Sequence, residues 1–265
     1  MKFKLKIMKN TTIKKMSGHW VLAKAGKKVL RPGGKKLTNK MINFLEINSE
    51  DKVVEFAPGL GYTANIVLNK KPKNYVGFDL EDDIIQKLTD KYGTEAAQFK
   101  IANAASTMLE DNSKTKVFGE AMLTMQTDHR KREIIQEAFR ILEVGGLYAI
   151  HELALKPNNI SDEIKKSIQR ELAETMNVNA RPLTIEEWKK ILEEQNFDII
   201  HYQVTAMHLL EPARIIDDEG FTGFVRIVKN ILSNSDIRKR ILRMKNIFKK
   251  YENNLCAVIL VAKKR

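Results

Sequence analysis

The chain of 265 residues has one cysteine, six prolines and only 7% aromatic residues. One cysteine cannot close an intrachain disulfide, and no Cys/His cluster has metal-ligand spacing. The sequence therefore reads as intracellular and cytoplasmic, with no structural zinc and no metal site. Long apolar runs are also missing: the longest clean one, Leu255 to Ala262, has eight residues. That suits a strand and falls far short of the ~20 residues that cross a bilayer. The start, Met1 to Met8, alternates lysine with apolar residues, and the absence of a continuous apolar core argues against a signal peptide.

Acidic residues are absent from the first 40 positions, which carry thirteen Lys/Arg; the first acid is Glu46. The net charge is +13, yet the remaining residues hold 33 basic and 33 acidic groups. A polyanion-binding fold would spread its basic groups over its surface. Here the excess sits on an arm in front of a neutral body.

What is present is an ordinary folded composition, 43% apolar and 30% charged, with a clear period. Trp20 to Leu30 is predicted as a helix stopped by Pro32-Gly33-Gly34, and Thr38 caps a second one with Met41, Ile42, Phe44 and Leu45. From residue 52 strands alternate with helices: strands at 52–57, 75–79, 98–101, 116–124 and 146–155, helices at 62–69, 83–92 and 128–142. Such alternation implies an α/β fold with a parallel sheet and right-handed crossovers. Helices follow at 162–176 and 184–195, the latter opened by the capping box Thr184-Ile-Glu-Glu187, and strands six and seven at 197–204 and 255–261. Residues 207–254, between those strands, carry two amphipathic helices. The expected organisation is a basic arm and helical cap (1–48), a nucleotide-binding body (49–206 plus 255–265) and a helical lid insertion (207–254).

Glu55-Phe-Ala57-Pro-Gly59-Leu-Gly61-Tyr-Thr-Ala64 reads as strand, tight turn and helix. Small residues let backbone approach a ligand, and the helix start offers unpaired amides. Asp79, at the end of the next strand, can accept both hydroxyl protons of a ribose. Together these indicate an adenosine-containing ligand. Gly59-x-Gly61-x-x-Ala64 also fits the dinucleotide fingerprint, so NAD(P) stays open at this point. Glu55 just before the turn, the preceding cap, and the helix-to-strand phrase ending in Gly145-Gly146 point instead to S-adenosylmethionine (SAM).

With these motifs the chain resembles the class I SAM-dependent methyltransferases, most closely the type 11 group that includes quinone-biosynthesis and other small-molecule enzymes. The resemblance covers about residues 37 to 206 plus the last strand. It rests on the turn at 55–61, Gly77-Phe-Asp79, Ala102-Asn103-Ala104 and Gly145-Gly146. It implies a Rossmann-like seven-stranded sheet with helices on both faces, and SAM as cofactor with S-adenosylhomocysteine as product. It places Glu55, Ala57, Gly59 and Gly61 around the methionine end of the cofactor. Asp79 would take the ribose, Leu80 would pack on the adenine, Asn103 would meet the adenine edge, Thr124 would lie near the methyl group, and Tyr62 and Ala104 complete the cofactor-binding set. The chain departs from the family at Ala57-Pro58, where the first glycine of the turn is usual, and at Asn103, usually Asp.

Methyl transfer from a sulfonium is an in-line displacement whose main demand is alignment in a dry pocket. A general base is optional, and no catalytic residue is fixed by the sequence. The candidates are His19, His129, His151, Glu152 and His208. His151-Glu152 serves either sheet packing or pocket chemistry, and His129 either substrate contact or a helix start. Met207, Leu209, Leu210, Phe221 and Phe224 suggest an apolar pocket and hence a small organic, apolar or amphiphilic acceptor. Nucleic acid is the runner-up, disfavoured because the N/D-P-P-Y/F signature is absent and the arm offers just Phe3 and Trp20 for stacking. A SAM-binding protein without turnover is the third reading. Residues 1–40 could dock on an anionic membrane, and the oligomeric state is not readable.

Overall fold

The computed structural model describes residues 12–265; the first eleven residues of the basic arm lie outside them. Two cap helices, α1 (Gly18–Ala25) and α2 (Gly34–Phe44), precede the sheet. Then β1 (Lys52–Phe56), α3 (Tyr62–Leu68), β2 (Asn74–Asp79), α4 (Asp82–Tyr92), β3 (Ala97–Ile101) and β4 (Lys114–Glu120) alternate, followed by α5 (Asp128–Ile141) and β5 (Leu142–Leu155). These strands are parallel in the order β3-β2-β1-β4-β5. The chain continues through α6 (Asp162–Met176), the two-residue β6 (Leu183–Thr184), α7 (Ile185–Glu193) and β7 (Phe197–Ala206). Helices α8 (Pro212–Ser233) and α9 (Ser235–Lys250) then lead to β8 (Leu255–Lys264). β8 runs antiparallel between β5 and β7, completing the Rossmann-like sheet; β6, beside the end of β5, is an eighth strand the sequence did not announce.

Successive side chains leave a strand on opposite faces. Val53 and Tyr75 pack with Met41, Ile84, Leu88 and Phe99, whereas Val54 and Val76 pack with Ile134, Ile135, Trp188 and Phe197. A third cluster lies beyond the sheet end, where Val21 and Leu22 of α1 meet Leu172 of α6 and Ile237, Ile241 and Met244 of α9. At the start of α7, Thr184 and Glu187 form both hydrogen bonds of the predicted capping box.

Three element boundaries differ from the sequence reading for identifiable reasons. The first helix stops at Ala25, because Gly26 adopts φ 109° and Lys27 N–H turns back to Leu22 C=O at 3.0 Å. The fourth strand ends at Glu120, since the amides of Met122, Leu123 and Thr124 are drawn into a short 3₁₀ turn by the Glu152 carboxylate. Helix α8 is broken at Gly220 (φ 74°, ψ 167°), backbone space that is essentially reserved for glycine.

Candidate active site

A cavity of about 290 Å³ opens at the carboxyl ends of β1, β2, β4 and β5. Open α/β sheets bind ligands at this end. Glu55, Ala57, Gly59, Asp79 and Thr124 line it. The turn between β1 and α3 needs its glycines: Gly61 has φ +74°, and a Cβ there would lie 2.4 Å from Leu88 Cδ2 of α4. Gly59, also left-handed, has only Ala57 C=O within 4 Å of an added Cβ, so backbone is open to a ligand. Ala57 itself takes φ 54°, and its N–H donates to Phe78 C=O at 2.8 Å, stitching the turn to β2.

The floor holds two carboxyl groups with opposite fates. Burial pushes Glu55 up to about 8, only partly offset by the hydrogen bond it accepts from Tyr75. Glu55 is thus neutral at pH 7. Burial would raise Glu120 too, but Arg31, His151 and Thr38 outweigh it and hold the carboxyl at about 2. Arg31 donates to Glu120 and to Thr63, while Thr38 and Thr63 donate to Glu120 at 2.6 and 2.5 Å. Asp79 is raised by burial, against amide hydrogen bonds from Glu81, Gly59 and Leu80.

Other predicted residues have structural duties. The Arg31 guanidinium lies 5.1 Å from the centre of the Tyr62 ring. Leu80 is 68% exposed, beside Asp79 and outside the cavity lining. Asn103 Oδ1 accepts from Ala105 N–H at 3.0 Å, closing its own turn, and Ala104 packs against the sheet core. The Thr124 hydroxyl donates to Glu152 at 2.6 Å.

Of the candidates, His151 and Glu152 are fully buried and lie outside the lining of the cavity, in the packed sheet. His129 stands at the solvent start of α5, its side chain 85% exposed and paired with Glu133 at 3.3 Å. His208 borders a small crevice beyond β7, outside the main cavity. His19 does line the cavity, with Trp20 beside it. Burial lowers His19 to about 4, so the ring is neutral at pH 7. The sequence reading missed Arg31 and Glu120. The available signal was a carboxylate closing the apolar strand Val117-Phe118-Gly119-Glu120.

The far wall is apolar: Leu153, Leu172, Met176, Val178, Leu209 and Phe248 come from β5, α6, the following loops and α9. The cavity thus joins a polar floor with glycine-exposed backbone, suited to the ribose and methionine parts of SAM, to an apolar chamber walled in part by α9. Glu55, Ala57, Gly59 and Asp79 would hold SAM, whose sulfonium would supply the activated methyl group in a pocket that keeps water out.

Comparisons with known proteins agree with this geometry. The family profile described as "Methyltransferase domain" matches residues 54–150. An uncharacterized protein of Haemophilus influenzae is 33% identical over 251 residues, covering 93% of this chain and 98% of its own length. The phosphoethanolamine N-methyltransferase of Plasmodium falciparum is 21% identical over 174 residues, 65% of this chain and 63% of that one. The fold superposes, with a TM-score of 0.68 at 15% identity, on Haemonchus contortus phosphoethanolamine N-methyltransferase 2 in complex with SAM, covering 98% of this chain and 58% of that one.

Proposed function

The chain belongs to the class I SAM-dependent methyltransferases, and on that footing we propose that it methylates a small organic acceptor with an apolar or amphiphilic body. The observation carrying the acceptor class is the apolar far wall of the cavity, formed by Leu153, Leu172, Met176, Val178, Leu209 and Phe248. Glu55, Ala57, Gly59 and Asp79 hold the cofactor in this reading, and the neutral His19, whose Nε2 lies 3.3 Å from the Ser17 hydroxyl, lines the cavity beside the acceptor.

A phosphate-bearing acceptor, such as the one in the names of the parasite relatives, requires cations facing the chamber. The two that line it are poor candidates: Arg31 is paired with Glu120, and Lys28 is an exposed residue at the rim. Transfer from radiolabelled SAM to a panel of phenols, quinols, lipids, phosphoethanolamine and RNA tests the assignment. Turnover confined to apolar or amphiphilic acceptors supports it. Phosphoethanolamine or RNA as the best substrate overturns it, and SAM binding without transfer to any acceptor makes the chain a cofactor-binding protein instead.

A further inference from the structure

The neutral body conceals a second concentration of positive charge. Residues 221–250, from the bend in α8 to the end of α9, carry nine Lys/Arg and one acid, Asp236. Among the described residues, only Lys250 of the nine has an ionic partner, Glu171 at 2.7 Å. Lys229, Lys239, Arg243 and Lys249 are exposed.

The same helices leave apolar side chains in solvent. Phe221, Val225 and Leu232 are 69%, 49% and 64% exposed, and their spacing of four and seven residues places them on one stripe of α8. That stripe is separate from the face bearing Gly223 and Ile227, which are buried. On α9, Leu242 is exposed at the edge of an apolar crevice of about 180 Å³, lined by Leu22, Ile215, Ile227, Ile231 and Ile241, with Lys245 also at its edge. A soluble surface with no partner rarely gathers apolar stripe, crevice and unpaired cations together.

We propose that the outer surface of α8 and α9 docks on an anionic lipid bilayer, with Phe221, Val225 and Leu232 entering the headgroup boundary and the unpaired cations meeting lipid phosphates. An amphipathic helix with a cationic flank lies in the plane of such a surface. No helix among the described residues is long and apolar enough to cross a membrane, so the contact is peripheral. The helices also contribute to the roof of the cavity: Phe248 of α9 lines its wall, and α1, which bears His19 and Trp20, packs on α9. Docking therefore sets the acceptor chamber beside the bilayer. Nucleic acid would use the cations but leave the aliphatic stripe without a role.

The full-length protein is sedimented with vesicles of phosphatidylcholine alone and with about 30 mol% phosphatidylglycerol added. Wild type is expected to bind the anionic vesicles at least tenfold more tightly. Phe221→Ser/Val225→Ser/Leu232→Ser and, separately, Lys229→Glu/Lys239→Glu should each lose that affinity tenfold or more. Both variants keep the N-terminal arm and alter only exposed positions, and unchanged SAM affinity by calorimetry verifies their fold. Equal binding to the two vesicle types overturns the proposal, as does an aliphatic variant that binds like wild type. Tighter binding to a single-stranded RNA, insensitive to the aliphatic variant, overturns it in favour of nucleic acid. Vesicle binding is read without turnover, so failure of the methyl-transfer assignment leaves this result standing and distinguishable.

Discussion

His151 is bonded through both ring nitrogens to groups that only accept: Nδ1 to Glu120 Oε2 at 2.7 Å and Nε2 to Pro32 C=O at 2.6 Å. It ties the end of β4 to the segment that leads from α1 to α2 and forms part of the cavity wall. His151→Ala leaves a buried carboxylate short of one donor and a buried carbonyl without its partner, costing about 3 kcal/mol. The urea midpoint should fall accordingly, with the m-value unchanged; an unaltered midpoint would show that the tie carries no stability.

Glu55 predicts how stability depends on pH. Its carboxyl titrates at about 8 in the fold against 4.5 as an unperturbed side chain. Between those values the folded state holds a proton that the unfolded state has released. This contribution is complete below about 4.5, declines as pH rises and levels off above about 8, a change of roughly 4 to 5 kcal/mol in total. Glu55→Gln should flatten that part of the melting-temperature profile and be more stable than wild type at pH 8.5. A profile unaffected by the substitution would refute the assignment.

The same carboxyl gives cofactor binding a proton signature. The family reading puts the cationic methionine end of SAM beside Glu55, and a neighbouring cation favours the ionised form. SAM binding at pH 7 should release close to one proton, measured from calorimetric enthalpies in buffers of different ionisation heat. The release should vanish in Glu55→Gln. Enthalpies independent of buffer would place the cation elsewhere.

Asp79 ends β2 at the cavity with amide donors around one side of its carboxylate. Asp79→Ala should weaken SAM at least tenfold, about 1.4 kcal/mol, with less effect on melting temperature than His151→Ala. NADPH should bind neither protein. Undiminished SAM affinity in the variant would remove Asp79 from the ribose site.

The segment from α1 to α2 is latched to α8 by two adjacent acids. Lys27 is buried against Asp218 at 2.9 Å, Asp218 also accepts Lys35 N–H, and Glu219 accepts the amides of Lys28 and Val29. Asp218→Ala strands a buried ammonium and should cost about 3–5 kcal/mol. Gly220→Ala has space for its methyl group but not the backbone freedom, and should cost about 1–3 kcal/mol. Both should speed SAM dissociation in stopped flow and raise amide exchange in residues 27–35. Dissociation rates equal to wild type would separate the latch from the cavity.

The alternation of strands and helices was legible because each buried strand is a short apolar run and each crossover has a helical period. Asp162–Met176 and the capping box at Thr184 carry their own boundary chemistry, so those limits could be read directly. Gly26 ended a helix that apolar spacing alone extends to Leu30, because a left-handed terminus depends on one backbone torsion. The turn at 55–61 and Asp79 were readable as a local pattern. Arg31, Thr38, Thr63, Glu120 and His151 were not, because their meeting joins five separate elements and linking segments, and no spacing encodes it. Regional averaging hid the charge of α8 and α9, since acids elsewhere cancel it.

β8 occupies the middle of the sheet, between β5 and β7, yet it follows both of them in the chain. During synthesis β5 must wait with an open apolar edge until residues 255–264 emerge, about a hundred residues after β5 itself, so the sheet closes late. Deletion of residues 255–264 would thus expose the two strands they join, and the product would aggregate rather than linger as a partly active enzyme.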